Sequence, residues 1–178
     1  MARSRMSFLW PIVCLLLLTL SALNDDDGNG SSGTGADASR QARAAATVAE
    51  ILSVHNAARL AVGVPALVWS PQIAAFAKDF AHSRRRNCAP RRTSSWGKGR
   101  HWNATALAAP WVAEGRWYDY ESNSCAAPPG DGGCLRYTQV VWRNTTQVGC
   151  ARIVCDSGDT LLICDYFPPG NYGTGRPY

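Results

Sequence analysis

Apolar and polar positions along the chain change period twice. Over residues 43–62, Val48, Ile51, Leu52, Ala58 and Val62 keep one stripe at helical spacing, and Gly63 follows as a stop. "PALVWS", residues 65–70, is a short extended segment. Ser70 then caps a second helix with Pro71 at its first position, and Ile73, Phe76, Ala77, Phe80 and Ala81 form an amphipathic face. Three arginines, Arg84, Arg85 and Arg86, suit the end of that helix. Residues 87–104 show no period and read as an irregular basic loop containing Trp96 and Trp102. Residues 105–120 return to helical spacing through Trp111, Glu114, Trp117 and Tyr118, which puts Pro110 in a first turn. The C-terminal part is β-rich. "VGCARIVC" and "TLLICDYF" flank Asp156-Ser157-Gly158-Asp159 and predict a hairpin. Helices followed by strands predict an α+β domain with helices packed on a sheet.

The first forty residues contain little that belongs to this core. Residues 1–22 carry Arg3 and Arg5, an apolar run and small residues, the pattern of a secretory signal peptide. The run is shorter than the ~20 residues that span a bilayer. Residues 23–42 are rich in Gly, Ser and Asp, have nothing to bury, and are expected to be a disordered spacer. One domain, residues 43–178, remains.

With Cys14 in the leader, Cys88, Cys125, Cys134, Cys150, Cys155 and Cys164 are left. An even number in a secreted chain predicts three disulfides rather than a zinc site, because no Cys-x-x-Cys pair is present. The hairpin places Cys150 opposite Cys164 or one residue away, so a bridge between them is feasible. Cys155 at the turn is free to reach Cys88, and Cys125 and Cys134 are left to close a local loop. Sequons at Asn29, Asn103 and Asn144 offer glycosylation sites.

The formal net charge is +5, and the excess is concentrated. Arg84, Arg85, Arg86, Arg91, Arg92, Lys98 and Arg100 fall in one run without an acidic residue. Such a run is a solvated loop or a surface attracted to anionic cell-wall or membrane material. Nothing in the chain matches a nucleic-acid recognition motif, and the chain is expected to be a monomer. His55 lies on or beside the first helix's stripe, without a partner visible in the sequence, and reads as a packed core histidine.

Several segments carry a family resemblance. "HNAARLAVGVPALVW", "WVAEGRWYDYESNSCA", "YTQVVWRNTTQVGCA" and "CDYFPPGNYGTGRPY" resemble the cysteine-rich secretory (CAP) superfamily, most closely its plant branch, the class one pathogenesis-related proteins. The resemblance covers about residues 45–178. It implies a three-layer α-β-α sandwich and the pairings Cys88–Cys155, Cys125–Cys134 and Cys150–Cys164, in agreement with the hairpin. It also implies secretion to the apoplast and a non-enzymatic defence role.

Family members usually line one cleft with two histidines and two glutamates, a set able to hold a divalent metal or share protons. Here Glu114 matches one glutamate. Arg92 and Arg136 stand where the histidines are expected, and the Gly-Glu-Asn turn with the other glutamate is missing between Ser95 and Trp96. His101 matches no family position. Arginine has no lone pair for a metal and cannot act as a base near neutrality. No Gly-x-Ser-x-Gly or comparable nucleophile element is present either. The sequence therefore predicts no cofactor, no metal and no enzyme, with Glu114 paired to Arg136, Arg92 or both.

The resemblance further implies antimicrobial action through sterols or other lipids. The candidate surface is Tyr118, Tyr120 and the Cys125–Cys134 loop with Pro128 and Pro129, flat groups suited to a rigid hydrocarbon face. The last eleven residues resemble a C-terminal segment that some plant members release as a signalling peptide, with Pro168, Gly170, Asn171, Pro177 and Tyr178 in matching positions. Asp165 stands where Asn is usual. This tail either packs over the sheet or stays free for cleavage.

Overall fold

The computed structural model describes residues 33–90 and 93–178. The expected signal peptide, the first half of the spacer (residues 23–32), Asn29, Arg91 and Arg92 lie outside the described residues.

A four-stranded sheet forms the middle layer. β5 (Gln147–Val154) and β6 (Thr160–Phe167) make the central hairpin, in the order β1-β5-β6-β2. β1 (Val68–Trp69) runs parallel to β5, and β2 (Ser94–Gly97) is antiparallel to β6. Helices α1 (Gly33–Ala61), α3 (Ala104–Ala113) and α4 (Leu135–Val140) cover one face. There Ile51, Leu107, Trp111 and Val140 bury against Val148, Leu162 and Tyr166. Helix α2 (Pro71–Ser83) covers the other face through Ala77, Ala81, Ala151 and Ile163. This is the three-layer α-β-α sandwich the resemblance implies. A 3-10 turn (Glu114–Trp117) and the ribbon β3 (Tyr118–Asp119) with β4 (Ser124–Cys125) lead into α4.

All three disulfides pair as the resemblance implies, with Cα–Cα distances of 5.6 Å for Cys88–Cys155, 5.9 Å for Cys125–Cys134 and 4.1 Å for Cys150–Cys164. The hairpin puts Cys150 directly opposite Cys164. Ser70 caps α2 by accepting the Ile73 amide, as read from the sequence.

Four readings need correction. α1 begins at Gly33 rather than at residue 43, so residues 33–42 are helical and not a disordered spacer. Ala36, Ala38 and Ala42 favour helix, and extending a helix already anchored in the core avoids a second nucleation. α2 does not bury its large apolar residues: Phe76 is 72% exposed, while Ala77 and Ala81 are fully buried. The helix lies so close to the sheet that a Cβ on Gly149 would meet the Ala74 backbone at 2.1 Å, so only small side chains fit between. The "irregular" loop contains strand β2, held by backbone pairing to β6 rather than by an apolar pattern. Finally, Pro110 sits late in α3, and the helix gives way at Glu114 to the 3-10 turn and β3 instead of running to residue 120.

Candidate functional site

Glu114 stands at the end of α3 and is almost completely buried. Its carboxylate meets the first turn of α4, whose own N-cap residue, Cys134, offers no capping hydrogen bond. Oε2 accepts the amides of Arg136 and Tyr137, each at 3.1 Å. Oε1 accepts the Arg136 Nε, and the same guanidinium donates to the Asp131 carbonyl at 3.1 Å. Burial raises the Glu114 carboxyl above its ordinary range, opposed by the Tyr137 amide and by Arg136. Both oxygens are thus engaged by N–H donors.

A metal does not fit this arrangement. The guanidinium occupies the position of an expected imidazole and offers no lone pair. Among the described residues no group of three or more His, Cys, Asp or Glu stands where it could hold a metal ion. Ser95 and Trp96, between which the second glutamate's turn is missing, are consecutive residues of β2 paired to Leu162 and Leu161. His101 is exposed on the loop before α3.

His55 belongs to the core. Its Nδ1 donates to the Ile51 carbonyl at 2.7 Å, and its Nε2 accepts from the Tyr166 hydroxyl at 2.8 Å. Desolvation lowers its pKa to about 4, with the nearby Arg59 charge acting in the same direction. It is neutral at neutral pH.

The candidate lipid-binding residues divide. Tyr118 lines a cavity of ≈ 320 Å³ together with the Cys125–Cys134 bridge, Leu135, Trp142 and Pro177. Tyr120 does not line it; its ring is stacked on Tyr178 at 4.6 Å. Pro128 and Pro129 are exposed on the loop and also lie outside the cavity wall.

The tail is neither free nor spread over the sheet. Its contacts run along α4 and the ribbon. Gly170 donates to Gln139 at 2.8 Å, and Asn171 bonds Thr138 and the Leu135 carbonyl. Asn123 donates to Thr174, Arg176 donates to the carbonyls of Tyr120 and Glu121, and Arg143 donates to Pro177. Pro177 is buried, and Tyr178 packs edge-on to Tyr118. The physical reason is composition: glycines let this backbone approach closely, and Gly170 lies directly over the Trp142 ring.

The basic cluster is partly neutralised. Arg85 pairs with Asp156 at 2.9 Å, and Arg84 lies over the Phe80 ring at 4.9 Å. Arg86 is exposed. Of the sequon residues, Asn103 is exposed and caps α3 by accepting the Ala106 amide at 2.8 Å, and Asn144 is exposed.

Sequence reasoning missed Arg59. Fully buried on α1, it donates to the carbonyls of Pro65, Val140, Trp142 and Thr145 at 2.6–2.9 Å. Burial lowers its pKa to about 10, so it keeps its charge. One position from the apolar stripe, it had no carboxylate at helical spacing to signal a role.

A three-layer sandwich with three bridges and a buried Glu114–Arg136 ion pair defines a disulfide-stapled α+β domain. Residues 52–166 match the cysteine-rich secretory protein (CAP) family, and the chain belongs to it. Its relatives include a pathogenesis-related protein PR-1 of Medicago truncatula, 42% identical over 138 residues, covering 72% of this chain and 78% of the relative. Pathogenesis-related protein 1A of Nicotiana tabacum is 38% identical over 147 residues, covering 79% and 86%. In fold the chain is similar to venom allergen-like protein 4 of Schistosoma mansoni, with a TM-score of 0.55 at 22% identity, covering 72% of this chain and 90% of that one.

Proposed function

We propose that this chain is a secreted, non-enzymatic plant defence protein of the pathogenesis-related 1 type, acting by binding a sterol or similar lipid. The observation that carries the reading is the cavity beside Tyr118. It combines aromatic and apolar walls, Tyr118, Leu135 and Trp142, with a disulfide-held loop that keeps it open. Asn123, Ser124, Thr138 and Asn171 also line it, so the concavity offers a ligand with a rigid apolar face and a polar end both kinds of contact. The relatives' names point to defence, and disulfides form in oxidising compartments such as the cell exterior. A non-enzymatic role is supported by Glu114, whose two oxygens are engaged by N–H donors and which meets no second carboxylate or imidazole among the described residues. Arg86, with Arg84, Arg85, Arg91 and Arg92, would hold the protein on anionic wall or membrane surfaces. Asn103 and Asn144 would carry glycans.

Titration with a fluorescent sterol tests the reading. Saturable binding that is lost in Leu135→Asp, an exposed cavity residue, is the expected result. Absence of saturable binding by the intact protein would discard it.

A second reading, release of residues 168–178 as a signalling peptide, is favoured by one observation. The tail is attached to the body by hydrogen bonds and ring contacts, with no disulfide in it. Recovery of that peptide from apoplastic fluid after elicitation is expected; finding only intact protein would count against it.

A further inference from the structure

Among the described residues, the central sheet has an edge that no strand covers. β1 pairs with β5 only at Gln147 and Val148, because Ser70 leaves the strand to cap α2. Ser70 donates its amide to the Val148 carbonyl at 2.9 Å, so the Val148 backbone faces away from β6. Hydrogen-bonding direction alternates along a strand. Cys150, Arg152 and Val154 therefore turn their amides and carbonyls to the same side, beyond the point where β1 stops. The Cα–Cα distance of 4.1 Å between Cys150 and Cys164 agrees, since close antiparallel pairs are those that exchange no hydrogen bonds. Unpaired N–H and C=O groups in a row form a template for another strand.

This edge forms the floor of a groove of ≈ 810 Å³ between the Arg43–Val48 stretch of α1 and the outer side of α2. Ala44, Ala74 and Ala75 keep the walls back from the strand. The charged and titratable side chains that line the groove are Arg43, Lys78, His82, Arg85 and Arg152; no carboxylate does. Arg85 is engaged by Asp156, and Arg152 donates to the Trp102 carbonyl at 3.1 Å. Arg43 and Lys78 make no ion pair among the described residues. The groove shares no lining residue with the cavity beside Tyr118.

We propose that this groove binds an extended, acidic polypeptide segment of another protein, added as a strand along β5. The backbone groups of Arg152 and Val154, with those of Cys150 at the buried end of the groove, would fix its register, and the rim cations would select carboxylates. A second copy of this chain is disfavoured, because it would bring the same cations against themselves. Edge cations deter self-pairing in many sheets; here that repulsion leaves the edge available to a partner of opposite charge. An acidic polysaccharide could satisfy the cations but has no alternating N–H and C=O groups for Cys150, Arg152 and Val154 to meet.

The test uses the intact protein and a synthetic octapeptide alternating Asp with Val. Its controls are a Lys-for-Asp version, two versions N-methylated on alternate amides, and a polygalacturonate oligomer. Binding should protect the amides of Cys150, Arg152 and Val154 from hydrogen exchange. One of the two N-methylated versions should lose at least about tenfold in affinity, the Lys version should not bind, and Lys78→Glu with Arg152→Glu should weaken binding by about tenfold or more. Four results would each overturn the proposal: no binding of the acidic peptide up to about 1 mM, binding without protection of those amides, equal binding by both N-methylated versions, or polygalacturonate binding as well as the peptide.

Discussion

Helix α4 is only six residues long, yet its two ends are held by opposite charges in different ways. At its N-terminus, Glu114 accepts the amides of Arg136 and Tyr137 and is neutralised by the Arg136 guanidinium, which is partly exposed. Beyond its C-terminus, Arg59 is fully buried, makes no ion pair among the described residues, and donates to four backbone carbonyls. Both charges suit the helix dipole, negative at the start and positive at the end. The difference teaches where a buried charge needs a counter-ion. The buried Glu114 carboxylate is balanced by one cation that can also reach water. In the interior, four converging carbonyls do the same for Arg59 without the desolvation of a second full charge. It also explains why Glu114 has a role without any metal: it caps α4 in place of Cys134, which cannot.

The largest expected effect breaks the interior end. Arg59→Met should cost about 4 kcal/mol, because the buried Val140 and Thr145 carbonyls lose the guanidinium donor, as does that of Pro65, and that of Trp142 loses one of its donors. Urea denaturation reads this directly, and a loss under about 1 kcal/mol would mean that water replaces the guanidinium. The next concerns His55, one turn before Arg59. Its folded pKa of about 4 lies below the ordinary 6.5, so between those values the unfolded chain binds a proton that the folded one refuses. Stability should therefore fall by about 3 kcal/mol as pH drops from 6.5 to 4. His55→Gln should remove that part of the slope, and an unchanged profile would refute the assignment. At the other end, Glu114→Gln should cost about 2 kcal/mol, and adding Arg136→Gln should recover part of it, since the single change leaves a cation without its partner. A strictly additive double-mutant cycle would show the pair to be uncoupled. Smallest, Arg136→Lys should cost about 1 kcal/mol or less, because an ammonium still neutralises Glu114 but cannot also hold the Asp131 carbonyl.

The fold was legible where pattern and geometry agreed. β-rich runs on both sides of the Asp156–Asp159 turn give the hairpin, and the hairpin brings Cys150 to Cys164. It was illegible where packing or backbone pairing decides. β2 is a Ser-Ser-Trp-Gly strand with no apolar period, held by its register with β6. The face that α2 buries is its alanines, a choice imposed by the close approach at Gly149 that a scale of hydrophobicity reverses. At the site, the replacement of histidine by Arg136 could be read directly. That Arg136 rather than Arg92 or both would meet Glu114 stayed open, because the pair joins segments that the sequence does not place side by side. Tyr120 was legible as an aromatic but not as the stacking partner of Tyr178, because that contact joins segments far apart in the chain.

The Cys88–Cys155 bridge has a topological consequence. Every residue from 89 to 154 lies on a covalently closed loop, which includes α3, Glu114, the ribbon, α4 and the start of the hairpin. A protease that cuts once within that stretch leaves both fragments joined, so the cleft can survive a nick. The two ends of the chain have no such protection. A cut just before Cys88 would release α1 and α2, and a cut after Cys164 would release the tail, each held from then on by non-covalent contacts alone. The molecule's covalent wiring thus shields the Glu114–Arg136 pair and leaves the two ends, the C-terminal cover among them, as the parts that a single hydrolysis can free.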